Sequence, residues 1–146
     1  MQSSSTARRH RLSLQIVIAV FGLIPVCAGL AGCVFGLNIF DGAASFDADL
    51  DSHGRYLSGL LLGVGLGFWS CIADIEHQGP RVRLLTAIVF IGGLARLYDL
   101  IAVGWPGPEM SAALAMELLV TPAVAIWREN VDKAAMRPQS YQLEAT

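Results

Sequence analysis

Four long apolar stretches constrain this chain more than anything else in it: Leu14 to Phe40, Tyr56 to Ala73, Leu84 to Val103 and Met110 to Trp127. A helix that crosses the hydrocarbon core of a bilayer needs about 20 mainly apolar residues, and each stretch approaches or exceeds that length. Hydrophobic residues make up 54% of the 146 and charged residues 15%. A soluble domain of this size cannot hide so much apolar surface, whereas lipid solvates it. The connectors are short and rich in helix breakers: Asp41–Gly42, Gly79–Pro80 and Gly104–Trp105–Pro106–Gly107–Pro108. Short connectors make successive helices antiparallel. The expected fold is all-α, a single polytopic membrane domain over residues 1–146 built as an antiparallel four-helix transmembrane bundle, with tails at 1–13 and 128–146. The first stretch is longer than a crossing requires, so it should tilt or bend, with Pro25 as the kink site.

The charges orient the bundle. Lys and Arg near span ends are retained on the cytoplasmic side. Arg8, Arg9 and Arg11 precede the first stretch, Arg81 and Arg83 separate the second from the third, and Arg128, Lys133 and Arg137 follow the fourth. Eight of the ten basic residues thus fall on one face, while Asp41, Asp47, Asp49, Asp51 and Glu109 fall on the other, with Arg55 at its boundary. Both termini are expected in the cytoplasm. The formal net charge of −2 conceals this segregation. Without a basic patch interleaved with aromatics, nucleic acid is set aside as a partner.

The N-terminus has a competing reading. Arg8–Arg9–His10–Arg11, an apolar run and then Leu30–Ala31–Gly32–Cys33 imitate a lipoprotein signal with Cys33 as the acylated residue. A lipoprotein continues with a polar tether, but here Val34, Phe35, Leu37, Ile39 and Phe40 follow. The run before the cysteine also exceeds the usual signal core, so a retained first span is expected.

Inside lipid, helices approach closely where residues are small. Gly59, Gly63 and Gly67 share one face of the second stretch at four-residue spacing; Ala28, Gly32 and Gly36 do so in the first, and the third contributes Gly92 and Gly93. These faces serve either packing within the bundle or a seam to a second copy or another membrane protein.

Charges inside the stretches need the most explanation. Arg96 and Asp99 lie in the third and Glu117 in the fourth. A charge near a helix centre costs about 2.5–3.5 kcal/mol on insertion scales, so it normally faces protein or water and has a partner. Arg96 stands eight residues before Gly104, and Glu117 eight residues after Glu109. Both are therefore about 12 Å below the outer end of their helices. Asp99 follows Arg96 by one turn, and Arg55 stands at the outer mouth of the second stretch. Tyr56, Ser58, Tyr98 and Thr121 are candidates to line the same outer half, and Pro122 leaves the Leu118 carbonyl without its helical donor. Two readings stand: a neutral bridge between Arg96 and Glu117 (or Asp99) that only locks helices, or an outer-facing polar pocket for a head group, a proton or a small amphiphile.

Weaker signals carry less. Asp49, Asp51 and His53 fit a solvated acidic loop better than a metal site, for they lack compact spacing. Asp74–Ile75–Glu76–His77 is expected to anchor a helix end against Arg81 and Arg83. Cys27, Cys33 and Cys71 have no CxxC spacing. With no phosphate loop, nucleophile elbow or haem-attachment motif, neither cofactor nor metal is expected.

Several segments together carry a resemblance. Leu50-Asp51-Ser52-His53-Gly54-Arg55-Tyr56-Leu57-Ser58-Gly59, Asp74-Ile75-Glu76, Gly92-Gly93-Leu94-Ala95-Arg96-Leu97 and Glu117-Leu118-Leu119-Val120-Thr121-Pro122 leading to Trp127 resemble a bacterial family of small four-span membrane proteins, the domain of unknown function 4345 family. The resemblance runs from about Leu14 to Arg128 and implies a bacterial inner membrane. It singles out Arg55, Arg96 and Glu117 as recurring positions and marks Asp99 as a departure from a small polar residue. The Pro25 and Gly29 correspondence favours a retained first span. No activity comes with the family. The leading expectation is an accessory or lipid-binding protein. The alternatives are a membrane-embedded enzyme with Glu117 or Asp99 as acid/base and Arg96 steadying an anion, and a subunit of an oligomeric carrier.

Overall fold

A computed structural model describes residues 2–39 and 47–130, and its regular structure is helical throughout the described residues. Helix α1 spans Gln2–Phe35 and runs into a 3₁₀ turn at Gly36–Ile39. Helix α2 spans Ala48–Ser70 and α3 spans Gly79–Ala102. Helix α4 spans Pro108–Asn130 and contains a π-helical turn at Met116–Val120.

Three of these helices are long and apolar enough to cross a membrane: α1 from Arg8, α3, and α4. Helix α2 is not among them. Its first turn carries Asp49 and Asp51, and it ends at Ser70, short of the expected Ala73. There the Cys71 N–H turns back to Phe68 O at 3.0 Å and the Ile72 N–H to Trp69 O at 3.1 Å. Other boundaries also differ from expectation. The backbone is helical from Gln2, within the expected N-terminal tail. Helix α3 opens at Gly79–Pro80 and α4 at Pro108, so residues expected as connectors start helices instead. The reason is that proline in the first turn gives up an N–H that has no intrahelical acceptor anyway. Helix α4 continues through Arg128 to Asn130; Phe40 and the tail beyond Asn130 lie outside the described residues.

Large apolar side chains point outward. Ile91, Leu119 and Ile101 are 65%, 69% and 77% exposed, while among the described residues the buried apolar side chains are Leu14, Ile18, Cys71, Ile75 and Val82. Water tolerates such continuous apolar surface poorly, and a bilayer solvates it.

The chain divides into two compact units, Ile16–Ala73 and Met1–Gln15 with Asp74–Thr146. In the first, α1 and α2 form an antiparallel hairpin: Trp69 Nε1 donates to Ala19 O at 3.2 Å near one end, and Gly36 meets Asp51 near the other. Glycines of α1 set the approach. A Cβ on Gly29 would stand 2.5 Å from Leu62 N and 2.8 Å from Ser58 O, and one on Gly32 would strike the Ser58 side chain. On α2 the close approaches are at Gly65, against Val26 and Pro25, and at Gly54, against the Leu37 side chain. The Gly59–Gly63–Gly67 row faces elsewhere in part: nothing lies within 4 Å of a Cβ on Gly63, and on Gly59 only Cys33 Sγ at 3.8 Å.

In the second unit α3 and α4 run antiparallel. Gly93 packs against Glu117 and Leu118, and Gly79 against the Arg128 guanidinium, whereas Gly92 faces open space. Gly29→Val should overpack the first hairpin by about 1–3 kcal/mol, lowering its thermal unfolding midpoint in detergent. Gly63→Ala, which meets no atom, should leave the midpoint unchanged or slightly raised.

Candidate functional site

The second unit brings Arg96 of α3 and Glu117 of α4 together. Arg96 Nε donates to Glu117 Oε2 at 3.0 Å and Nη2 donates to Oε1 at 3.2 Å, a bidentate fork. The third nitrogen, Nη1, meets the Met110 sulfur at 3.0 Å. The two side chains are 33% and 20% exposed, so the pair is partly screened and still reachable from outside the hairpin.

Local sequence explains the geometry. Gly93 lies one turn before Arg96, and a Cβ there would stand 2.9 Å from Glu117 Cβ, so a larger residue would push the helices apart at the pair. On α4, Pro122 has no N–H, and its ring would clash with the carbonyl of Leu118 in a regular α-helix. The turn before it widens into the π form, in which the Thr121 N–H bonds Met116 O. Single π turns recur at functional positions because they redirect side chains; this one holds Glu117.

The remaining candidates have exposures or partners of their own. Asp99 is exposed and makes no ion pair among the described residues, and Tyr98 and Tyr56 are exposed at 72% and 62%. The Thr121 hydroxyl donates to Met116 O at 3.0 Å and the Ser58 hydroxyl to Gly54 O at 2.8 Å. Both are thus satisfied by their own helices, a common economy where water is scarce.

Arg55 is committed within the first unit. Its Nε donates to Asp51 Oδ2 at 2.8 Å, and its Nη1 donates to the carbonyls of Cys33 at 2.7 Å and Val34 at 3.0 Å. Those carbonyls belong to the last turn of α1, which ends where Gly36 adopts φ 65°, the left-handed conformation that closes helices. Asp51 Oδ1 accepts the Leu37 N–H at 2.9 Å just beyond. Arg55 and Asp51 therefore cap α1 from the first turns of α2. Asp51, outside the apolar stretch, has its carboxyl held below the ordinary value by the Arg55 hydrogen bond and then by the Leu37 N–H.

A further arrangement, not anticipated, lies at the opposite end of the α3–α4 hairpin. Arg128 is only 7% exposed. Its Nε donates to Ile75 O at 3.0 Å and its Nη2 to Glu76 O, while the Glu76 carboxylate pairs with Arg11 at 3.5 Å. The segment before α3 is thus held by Arg128 and Arg11, two residues whose sequence signal is only that of topological charges. His77 Nδ1 and Asp74 Oδ1 stand 2.6 Å apart beside it. Among the described residues no three His, Cys, Asp or Glu side chains gather as metal ligands.

The Asp51 cap has a pH signature. A depressed folded-state carboxyl contributes stability that is whole above the unfolded value, 3.8, and drains away as pH falls through the lower folded value. Compared by thermal unfolding, wild type should exceed Asp51→Asn by a constant margin from neutral pH to about 5, and the margin should shrink on further acidification.

No curated protein and no solved structure matches the chain. A family model described as a domain of unknown function, DUF4345, matches residues 13–128, a range that contains the Arg96–Glu117 pair, the Arg55 cap and Arg128, and the chain belongs to that family.

Proposed function

We propose that this protein crosses a bacterial inner membrane four times with both termini in the cytoplasm, and that Arg96 and Glu117 receive the polar end of a membrane-dissolved amphiphile. Beyond Asp51, helix α2 runs 19 residues from Ser52 to Ser70, about 28 Å, close to the about 30 Å hydrocarbon core. Its return across the membrane is supported by the Arg11–Glu76 ion pair at 3.5 Å. That pair joins the start of α1 to the segment after α2, which an odd number of crossings between them would keep apart. The basic residues flanking α1, α3 and α4 then share the cytoplasmic side.

The binding role rests on one observation: the third nitrogen of the Arg96 guanidinium is spent on a thioether at 3.0 Å. Sulfur of this type is a weak acceptor, and an oxygen-bearing ligand would serve that donor better. In a bridge that only locked helices the sulfur would stay the lasting partner of this nitrogen, so the two readings part on whether an oxygen ligand replaces it.

Arg96→Met and Glu117→Gln, made separately, should each remove a lipid-like species seen by mass spectrometry of the protein purified in mild detergent. Each should also destabilise the hairpin by less than the about 3–5 kcal/mol of a fully buried broken pair. Unchanged stability and unchanged co-purifying lipid in both variants would refute the pocket.

A second reading, a helix-packing seam to another copy or another membrane protein, is supported by Gly63 and Gly92, which face open space. Leucine at either position should abolish cross-linked oligomers in membranes if that face is used.

A further inference from the structure

A guanidinium offers five N–H groups in a planar fork. Arg96 spends its side-on edge, Nε and Nη2, on the two Glu117 oxygens at 3.0 and 3.2 Å. Its end-on edge consists of Nη1 and the other N–H of Nη2; Nη1 meets the Met110 sulfur at 3.0 Å, and among the described residues neither nitrogen has a further acceptor. The side chain is 33% exposed. A fork with the spacing for an oxygen ligand is therefore stoppered by an unbranched, flexible thioether that can move aside without breaking the ion pair.

Charge and depth select what replaces the sulfur. Glu117 already neutralises Arg96. An anionic head group would leave the site with an uncompensated negative charge in a medium of low dielectric, whereas a carbonyl oxygen accepts the hydrogen bonds and leaves the charge balanced. Depth gives the same answer independently. Helix α3 has 24 residues, about 36 Å, and so overhangs an about 30 Å core by about 3 Å at each end. Arg96 is six residues before Ala102, about 9 Å along the axis and hence about 6 Å inside the hydrocarbon boundary. Phosphates stay outside that boundary. An uncharged molecule that no head group tethers to the interface carries its ester or ring carbonyls below it.

Resting on the amphiphile-binding reading above, we infer that the end-on edge of Arg96, with Met110 as its displaceable stopper, binds the carbonyl oxygen of an uncharged amphiphile, an ester lipid or a quinone-like ring. Glu117 keeps the guanidinium oriented and neutralised. The arrangement rejects anionic lipid by charge and simple hydrocarbon by leaving its donors unsatisfied.

The test uses the full chain in detergent and native mass spectrometry with four probes: dioleoylglycerol, its dialkyl ether counterpart, a short-tailed ubiquinone, and a dialkyl ether phosphatidic acid. Dioleoylglycerol or the ubiquinone should bind at least tenfold tighter than the uncharged ether, and whichever does so names the source of the carbonyl. Met110→Leu should keep or strengthen that preference. Arg96→Met should abolish it, and so should the double variant Arg96→Met with Glu117→Leu, which leaves no orphaned charge to unfold the hairpin. Equal binding of ester, quinone and uncharged ether overturns the inference. Tighter binding of the charged ether, lost in Arg96→Met, overturns the ligand class but leaves the amphiphile site standing. If no probe responds to the Arg96 variants, the site itself is refuted.

Discussion

A helix hairpin in lipid gains almost nothing from pressing apolar side chains together, because the acyl tails they would leave are equally apolar. What holds such a structure is the satisfaction of its polar groups, and here three arginines account for much of it. Arg96 grips a carboxylate across the α3–α4 hairpin, Arg55 collects the last carbonyls of α1, and Arg128 collects two carbonyls of the segment before α3. Arg96 and Arg128 each reach two acceptors through two nitrogens of the planar fork, and Arg55 reaches both carbonyls through Nη1 while its Nε holds Asp51, a reach an ammonium cannot match in geometry.

Backbone proximity is the complement of these polar ties. Glycine occurs where a polar side chain or a neighbouring main chain must come close: Gly36 beside Asp51 and Arg55, Gly93 beside Glu117, Gly79 beside the Arg128 guanidinium, and Gly29 against the backbone of Leu62. Small residues and charged residues therefore act as one system. The glycine sets the separation, and the arginine or carboxylate uses it.

How much of this is legible in the sequence depends on how far the cause lies along the chain. The proximity of Arg96 and Glu117 is legible, since both lie eight residues from their connector-side landmarks in helices that a short connector makes antiparallel. The all-helical character follows from the apolar stretches. The role of Arg55 is not legible from depth alone, because its acceptors are main-chain carbonyls 21 and 22 residues away, exposed by a left-handed turn at Gly36. The Asp51–Arg55 spacing of one turn, set beside Gly36, was the signal available. Periodicity alone could not choose between Gly59–Gly63–Gly67 and Gly65 as the approach on α2, for a glycine-rich helix has small residues on more than one face. The π turn has its sign in Pro122, whose missing donor frees the Leu118 carbonyl, but the widening of the turn before it is not legible from that residue alone.

Arg128 carries a consequence for how the protein is made. On the proposed topology it acts twice: as a cytoplasmic charge read during insertion, and afterwards as a buried staple on Ile75 and Glu76. A lysine would satisfy the insertion machinery as well as the arginine does, yet it lacks the fork that spans both carbonyls. Biogenesis and the finished fold therefore place different demands on one position, and the stricter demand comes from the folded state.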